Sequence, residues 1–193
     1  MNFQSLIPWR KVSFWLCSAC GKCCIKFNVP LTITEYAKIM NRFGDAVIEL
    51  DFGKAYLKKN PATGRCVFQK WRNGKWICGI QEIKPLACKL WPFIILNKPK
   101  MDEALFTYIG EKFYIYLDKH CPEVKIGKPT NYLTNKVLPE IVKLSLNEKF
   151  KQVYSTALLP QAILHQIYKL PNKKETLIRE NLHQIIGPVA QLG

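Results

Sequence analysis

Four cysteines fall within eight residues, at Cys17-Ser-Ala-Cys20-Gly-Lys-Cys23-Cys24. Side chains that close along a chain cannot all enter one apolar core, so packing does not account for them. What the stretch does provide is several sulfur ligands in reach of one point, and the rest of the chain has to fold around that. Cys-x₂-Cys-x₂-Cys is the spacing that gives three ligands to a [4Fe–4S] cluster, with a remote Cys-Pro as the fourth. Cys121-Pro122 offers that element. Cys-x₂-Cys also makes half of many zinc sites, and thiolate, being soft and anionic, suits both metals. The three-Cys run tilts the reading toward iron–sulfur, with zinc beside it. Successive side chains on extended backbone point apart, so Cys23 and Cys24 are expected to serve two neighbouring sites or to leave one thiol free.

The chain has 193 residues and eight cysteines, is 48% hydrophobic and 22% charged, and so can bury a core of its own. A cysteine content of about 4% is below that of a disulfide-stapled secreted scaffold. The first residues do not follow the order of a signal peptide, because Arg10 and Lys11 come after apolar residues and the next apolar run is short. No run approaches the ~20 apolar residues of a membrane span. The expected location is the cytoplasm, where clustered cysteines bind metal or catalyse more often than they pair as disulfides.

The formal charge is +15. Residues 1–100 hold 17 Lys/Arg against 5 Asp/Glu, and residues 101–193 hold 12 against 9. Such an excess suggests an anionic partner, an acidic protein or nucleic acid. A local explanation competes. Four thiolates around a dication leave about −2 per site, and Lys22, Lys26, Lys84 and Lys89 lie beside cysteines that make such sites.

Residues 1–16 read as an irregular lead-in, with Trp9, Phe14 and Trp15 available to cover a site. Gly21 marks tight backbone geometry in the cysteine loop, and residues 25–31 read as extended. Thr32-Ile-Thr-Glu35 is a capping box. Tyr36, Ile39, Met40 and Phe43 follow at helical spacing before Gly44, which predicts a helix over 33–43 with this face as core. Residues 47–52 read as extended and 53–64 as a basic loop. A hairpin is predicted over 65–80, turning at Asn73-Gly74, with Cys66 and Cys78 on opposite arms. Pro85 opens a helical turn that carries Cys88, and Pro92 closes it. Strands are predicted over 93–96, 104–109 and 112–117, and helices over 134–146, 148–158, 160–170 and 173–186. His120 beside Cys121 reads as an ordinary polar histidine, with metal ligation or support of a ligand as the alternative. Cys66 has a buried thiol as its alternative.

The order Cys17-x₂-Cys20-Gly-x-Cys23-Cys24, Gly64-x-Cys66-x-Phe68, Cys78, Lys84-Pro85-x₂-Cys88-x₂-Trp91-Pro92-Phe93, Cys121 resembles the CxxCxxCC cysteine-cluster family, also called YkgJ-like, over about residues 14–122. The family commonly has Arg where Lys84 stands, and Lys cannot make the same bidentate contacts. The resemblance implies a zinc- or iron-chelating domain and makes Cys17, Cys20, Cys23, Cys24, Cys66, Cys78, Cys88 and Cys121 metal-ligand candidates. One branch is similar to flagellin lysine N-methylases, which implies S-adenosylmethionine as a cofactor if this chain is such an enzyme.

The expected fold is α+β. A cysteine-rich region over 1–124, with a hairpin, short strands and one helix, precedes a helical extension over 125–193. Three functions from different classes follow. One is a metal or cluster site that is structural or carries electrons. The second is a lysine N-methyltransferase, and the third is a zinc-stabilised module binding nucleic acid. The chain has no Gly-x-Gly-x-x-Gly and no Cys-x₃-Cys-x₂-Cys, so neither the dinucleotide fingerprint nor the radical S-adenosylmethionine spacing is present.

Overall fold

The longest strand, β9 (Glu111–Asp118), is the axis of the only four-stranded sheet among the described residues. These are residues 5–146 of a computed structural model. The chain divides into two units, 1–158 and 159–193, and every described residue lies in the first. The helices expected over 148–158, 160–170 and 173–186 fall outside the described residues.

Along β9, residues Ile115, Tyr116 and Leu117 are buried in succession, as befits a strand covered on both faces. β1 (Leu6–Pro8), β7 (Phe93–Leu96) and β8 (Leu105–Tyr108) all pair with β9 antiparallel. Leu117 is the meeting point, opposite Ile7 of β1 and Phe93 of β7. The lead-in is therefore not irregular. After β1 and a 3₁₀ turn, β2 (Val12–Phe14) pairs with β10 (Lys125–Ile126). Because β2 lies against a segment more than a hundred residues later, no local pattern could announce it.

A π-helical turn, Leu133–Val137, runs into α4 (Leu138–Ser145). Leu133, Val137, Leu138, Ile141 and Val142 are completely buried in one apolar cluster with Val12, Trp15, Phe93, Ile115 and Leu117. Residues from both sides of position 125 therefore build the same core. Each fully buried aliphatic side chain there contributes about 1.5–3 kcal/mol.

The second region is made of shorter pieces. α1 (Cys23–Lys26) is one helical turn, where extended backbone was expected from residue 25. The chain becomes extended only after it, and Pro30 bridges Tyr56. α2 (Ile33–Phe43) begins at the Thr32–Glu35 capping box and stops at Gly44, as its sequence signals predict. Ile39 is fully buried beneath it. β3 (Ile48–Asp51) and β4 (Lys54–Leu57) form a hairpin. Residues 54–57 are thus a strand where a loop was expected, because Leu57 is drawn inside and its N–H donates to the Val29 carbonyl at 3.0 Å. β5 (Gln69–Arg72) and β6 (Lys75–Cys78) form the expected hairpin about Asn73-Gly74. α3 (Leu86–Leu90) follows Pro85. The mixture of helices with small antiparallel sheets is α+β.

A cysteine-lined cavity as the candidate metal centre

The cysteine loop is held in place by its backbone. Gly21 has φ +73°, and a Cβ there would collide with Gln69 Nε2 and lie 2.6 Å from the Cβ of Trp76. Only glycine lets the loop approach the β5–β6 hairpin this closely. Gln69 Nε2 donates to the Gly21 carbonyl at 3.1 Å, and Trp76 N–H donates to the Ala19 carbonyl at 2.9 Å. The Arg65 guanidinium sits over the Trp76 ring, 3.8 Å from its centroid, and donates to Gln69 Oε1 at 2.9 Å.

These contacts make a cavity of about 90 Å³ that all eight cysteines line. A water needs roughly 10–15 Å³ by the same measure, so the space holds more than one ion. Cys20 is exposed and the other seven are partly buried, and all eight are free thiols. The four lysines singled out from the sequence, Lys22, Lys26, Lys84 and Lys89, also reach the cavity wall, as does His120. The His120 Nδ1 lies 2.7 Å from Asp118 Oδ1.

Two expectations about individual cysteines change. Cys66 is not on a hairpin arm, since β5 begins three residues later. It bridges Lys59, and its N–H donates to the Cys24 carbonyl at 2.9 Å. Its neighbours in space are therefore β4's exit and the first cysteine loop. Cys23 and Cys24 are not on extended backbone either. Both lie on α1, with their sulfurs 4.0 Å apart. The helical turn brings the vicinal pair together where a strand would separate it.

Contacts remote in sequence complete the walls. Trp15 Nε1 donates to the Cys121 sulfur at 3.4 Å, and Ser18 Oγ donates to Glu123 Oε1 at 2.7 Å. Trp15 was expected to cover a site. The Ser18–Glu123 pair gave no signal in the sequence, because neither residue type at that spacing means anything before the loops meet.

The thiols are mostly held protonated. Burial pushes Cys17, Cys78, Cys88 and Cys121 above the ordinary thiol value and takes Cys66 up to about 11. The hydrogen bond between the vicinal sulfurs lowers Cys23 and raises Cys24, so Cys23 ionises first. The positive charge of Lys84 favours the thiolate at Cys17, Cys23, Cys78 and Cys88.

As a donor set, eight thiols with one histidine at the rim fit zinc or an iron–sulfur cluster, and offer nothing to a hard cation that wants oxygen. Among the described residues, no group of three Cys, His, Asp or Glu side chains is already disposed to hold a metal ion. Binding would therefore need side-chain rotation into the cavity, as is usual where ligation is coupled to folding. Also among the described residues, no helix is long and apolar enough to cross a membrane.

Comparison with known proteins agrees with the chemistry of the site. A family model described as "CxxCxxCC: Putative zinc- or iron-chelating domain" matches residues 16–122, which include all eight cysteines. No curated protein and no solved structure matches the chain.

Proposed function

Because the chain belongs to the CxxCxxCC family, whose domain is described as zinc- or iron-chelating, we propose that its cysteines hold an iron–sulfur centre that carries electrons or ties the fold together. The observation that supports this is the gathering of all eight thiols on one cavity. That is more sulfur than one ion takes, and it includes the Cys-x₂-Cys-x₂-Cys run. An iron–sulfur group bound there supplies one-electron chemistry. The chain's own residues then set its character. The Trp15 N–H on Cys121 draws charge from a ligating sulfur, which raises the reduction potential. Lys84 offsets the negative charge of the thiolates, and Trp15, Phe27 and Trp91 wall off water.

A second reading, zinc, is favoured by one distance. With Zn–S near 2.3 Å, two thiolates on a tetrahedral ion stand about 3.8 Å apart, close to the 4.0 Å between Cys23 and Cys24. Anaerobic purification separates the two. A brown protein with broad visible absorption and matched iron and sulfide supports the first reading. A colourless protein holding about two zinc ions per chain, within the capacity of eight thiols at four per ion, overturns it in favour of the second. Under either reading uptake weakens in acid, because the thiols must release protons to ligate.

A further inference from the structure

The walls of the cavity divide the cysteines into two sets that meet only at the Cys23–Cys24 pair. We propose that each set is a separate four-thiolate centre, with Cys17, Cys20, Cys23 and Cys121 in one and Cys24, Cys66, Cys78 and Cys88 in the other. The proposal deepens the metal-binding reading and rests on it.

The first set is fastened by long-range contacts. Trp15 Nε1 on the Cys121 sulfur and Ser18 Oγ on Glu123 tie the 17–20 loop to the 121–123 turn. Cys17 and Cys121 both pack against the main apolar cluster, which none of the other six cysteines touches. The second set is fastened by backbone. Cys66 N–H donates to the Cys24 carbonyl, Gln69 N–H donates to the Cys66 carbonyl at 2.9 Å, and Gln69 pairs with Cys78 across the hairpin. α3, which carries Cys88, is tethered separately. Glu35 accepts the Leu86 N–H at 2.6 Å through one oxygen, and through the other the Thr32 N–H at 2.9 Å, so it joins the start of α2 to the start of α3.

Electrostatic neighbours give the same division. Cys121 is influenced by Cys20 and Cys23, and Cys17 by Cys23 and Cys121. Cys24 is influenced by Cys66 and Cys88, and Cys88 by Cys78 and Cys66. Only Cys23 is a neighbour to members of both groups. Lys84 reaches Cys17 and Cys23 on one side and Cys78 and Cys88 on the other. It is placed as a counter-charge common to both centres, each of which carries about −2 when four thiolates surround a dication. On ligation the thiol protons pass to solvent and no electron moves.

The test is metal content of the full chain reconstituted with zinc(II) and, separately and anaerobically, with iron(II) and sulfide. Cys20→Ser and Cys78→Ser each lose about half the wild-type metal. The pair Cys20→Ser/Cys121→Ser loses no more than Cys20→Ser alone, and the pair Cys20→Ser/Cys78→Ser loses nearly all. A single substitution that removes all metal, or a pair within one set that loses more than its single, overturns the division and leaves the metal reading standing. Wild-type chain that takes up neither metal overturns the reading beneath it. Cys20 is exposed, so its substitution tests the division without burdening the fold. Far-UV circular dichroism of each variant confirms that folded protein is being counted.

Discussion

Around β9, Val12, Ile115, Leu117, Leu133, Leu138 and Ile141 exclude water completely. The walls of the cysteine cavity, by contrast, are a four-residue helical turn, a two-stranded hairpin, a five-residue helix and the loops between them. The first region is held by apolar burial. Its partners come from opposite ends of the described chain, so it closes the topology. The second region has short elements that are marginal alone, as an isolated hairpin is in water. It is assembled through a few specific hydrogen bonds and a shared set of thiols. The difference teaches that loss of ligation and loss of core packing should damage different parts of the molecule.

The largest effect expected is that of removing metal. Structural thiolate–zinc sites contribute an apparent ~10–16 kcal/mol in small peptides, more than a hairpin contributes by itself. A chelator in excess should therefore speed amide exchange in β5 and β6 by about a hundredfold or more, while the β9 amides change little. Hydrogen exchange read residue by residue checks this. Equal loss of protection in both regions would show that the sheet, too, depends on the metal, and the contrast would fail.

Two substitutions break the regions separately. Ile141→Ala removes a fully buried side chain from the main cluster and should cost about 2–5 kcal/mol, with metal per folded chain unchanged. Gly21→Ala places a Cβ against Gln69 and Trp76 at a positive φ. It should at least halve metal uptake while leaving β9 exchange intact. Denaturant unfolding with metal analysis distinguishes them, and an Ile141→Ala protein that also loses its metal would join the two regions into one.

The regions differed in what could be read from sequence for a physical reason. α2 was legible to the residue because its capping box, its period and its glycine stop are all local. β7, β8 and β9 were legible because apolar β-formers run between turn residues. β2 was missed because Val12–Phe14 pairs with Lys125–Ile126, and three residues carry no period. At the site, the cysteines and Gly21 announced themselves by type and density. The tether of Ser18 to Glu123, the place of Cys66 beside Cys24, and the helical turn under Cys23 and Cys24 did not, because each follows from which loops meet.

The smallest effect concerns one backbone feature that three hairpins share. The turns Phe52-Gly53, Asn73-Gly74 and Ile109-Gly110 each place both residues at positive φ. Asn-Gly suits that geometry, and it stands at the hairpin that carries Cys78. Ile109 does not suit it, since a β-branched residue is disfavoured there, and at 83% exposure it gains nothing from packing. The sheet tolerates it because β9 is also paired with β1 and β7, whereas β5 and β6 have only each other. Left-handed backbone costs a residue other than glycine about 1–2 kcal/mol. Ile109→Asn should thus stabilise the protein by roughly 1 kcal/mol in denaturant unfolding, without altering metal content. Asn73→Ile, the reverse change on the cysteine side, should show itself as faster metal loss to a chelator. If both changes moved only global stability and by equal amounts, the hairpin at the cavity would be as well buttressed as the sheet, and its dependence on its own turn would be refuted.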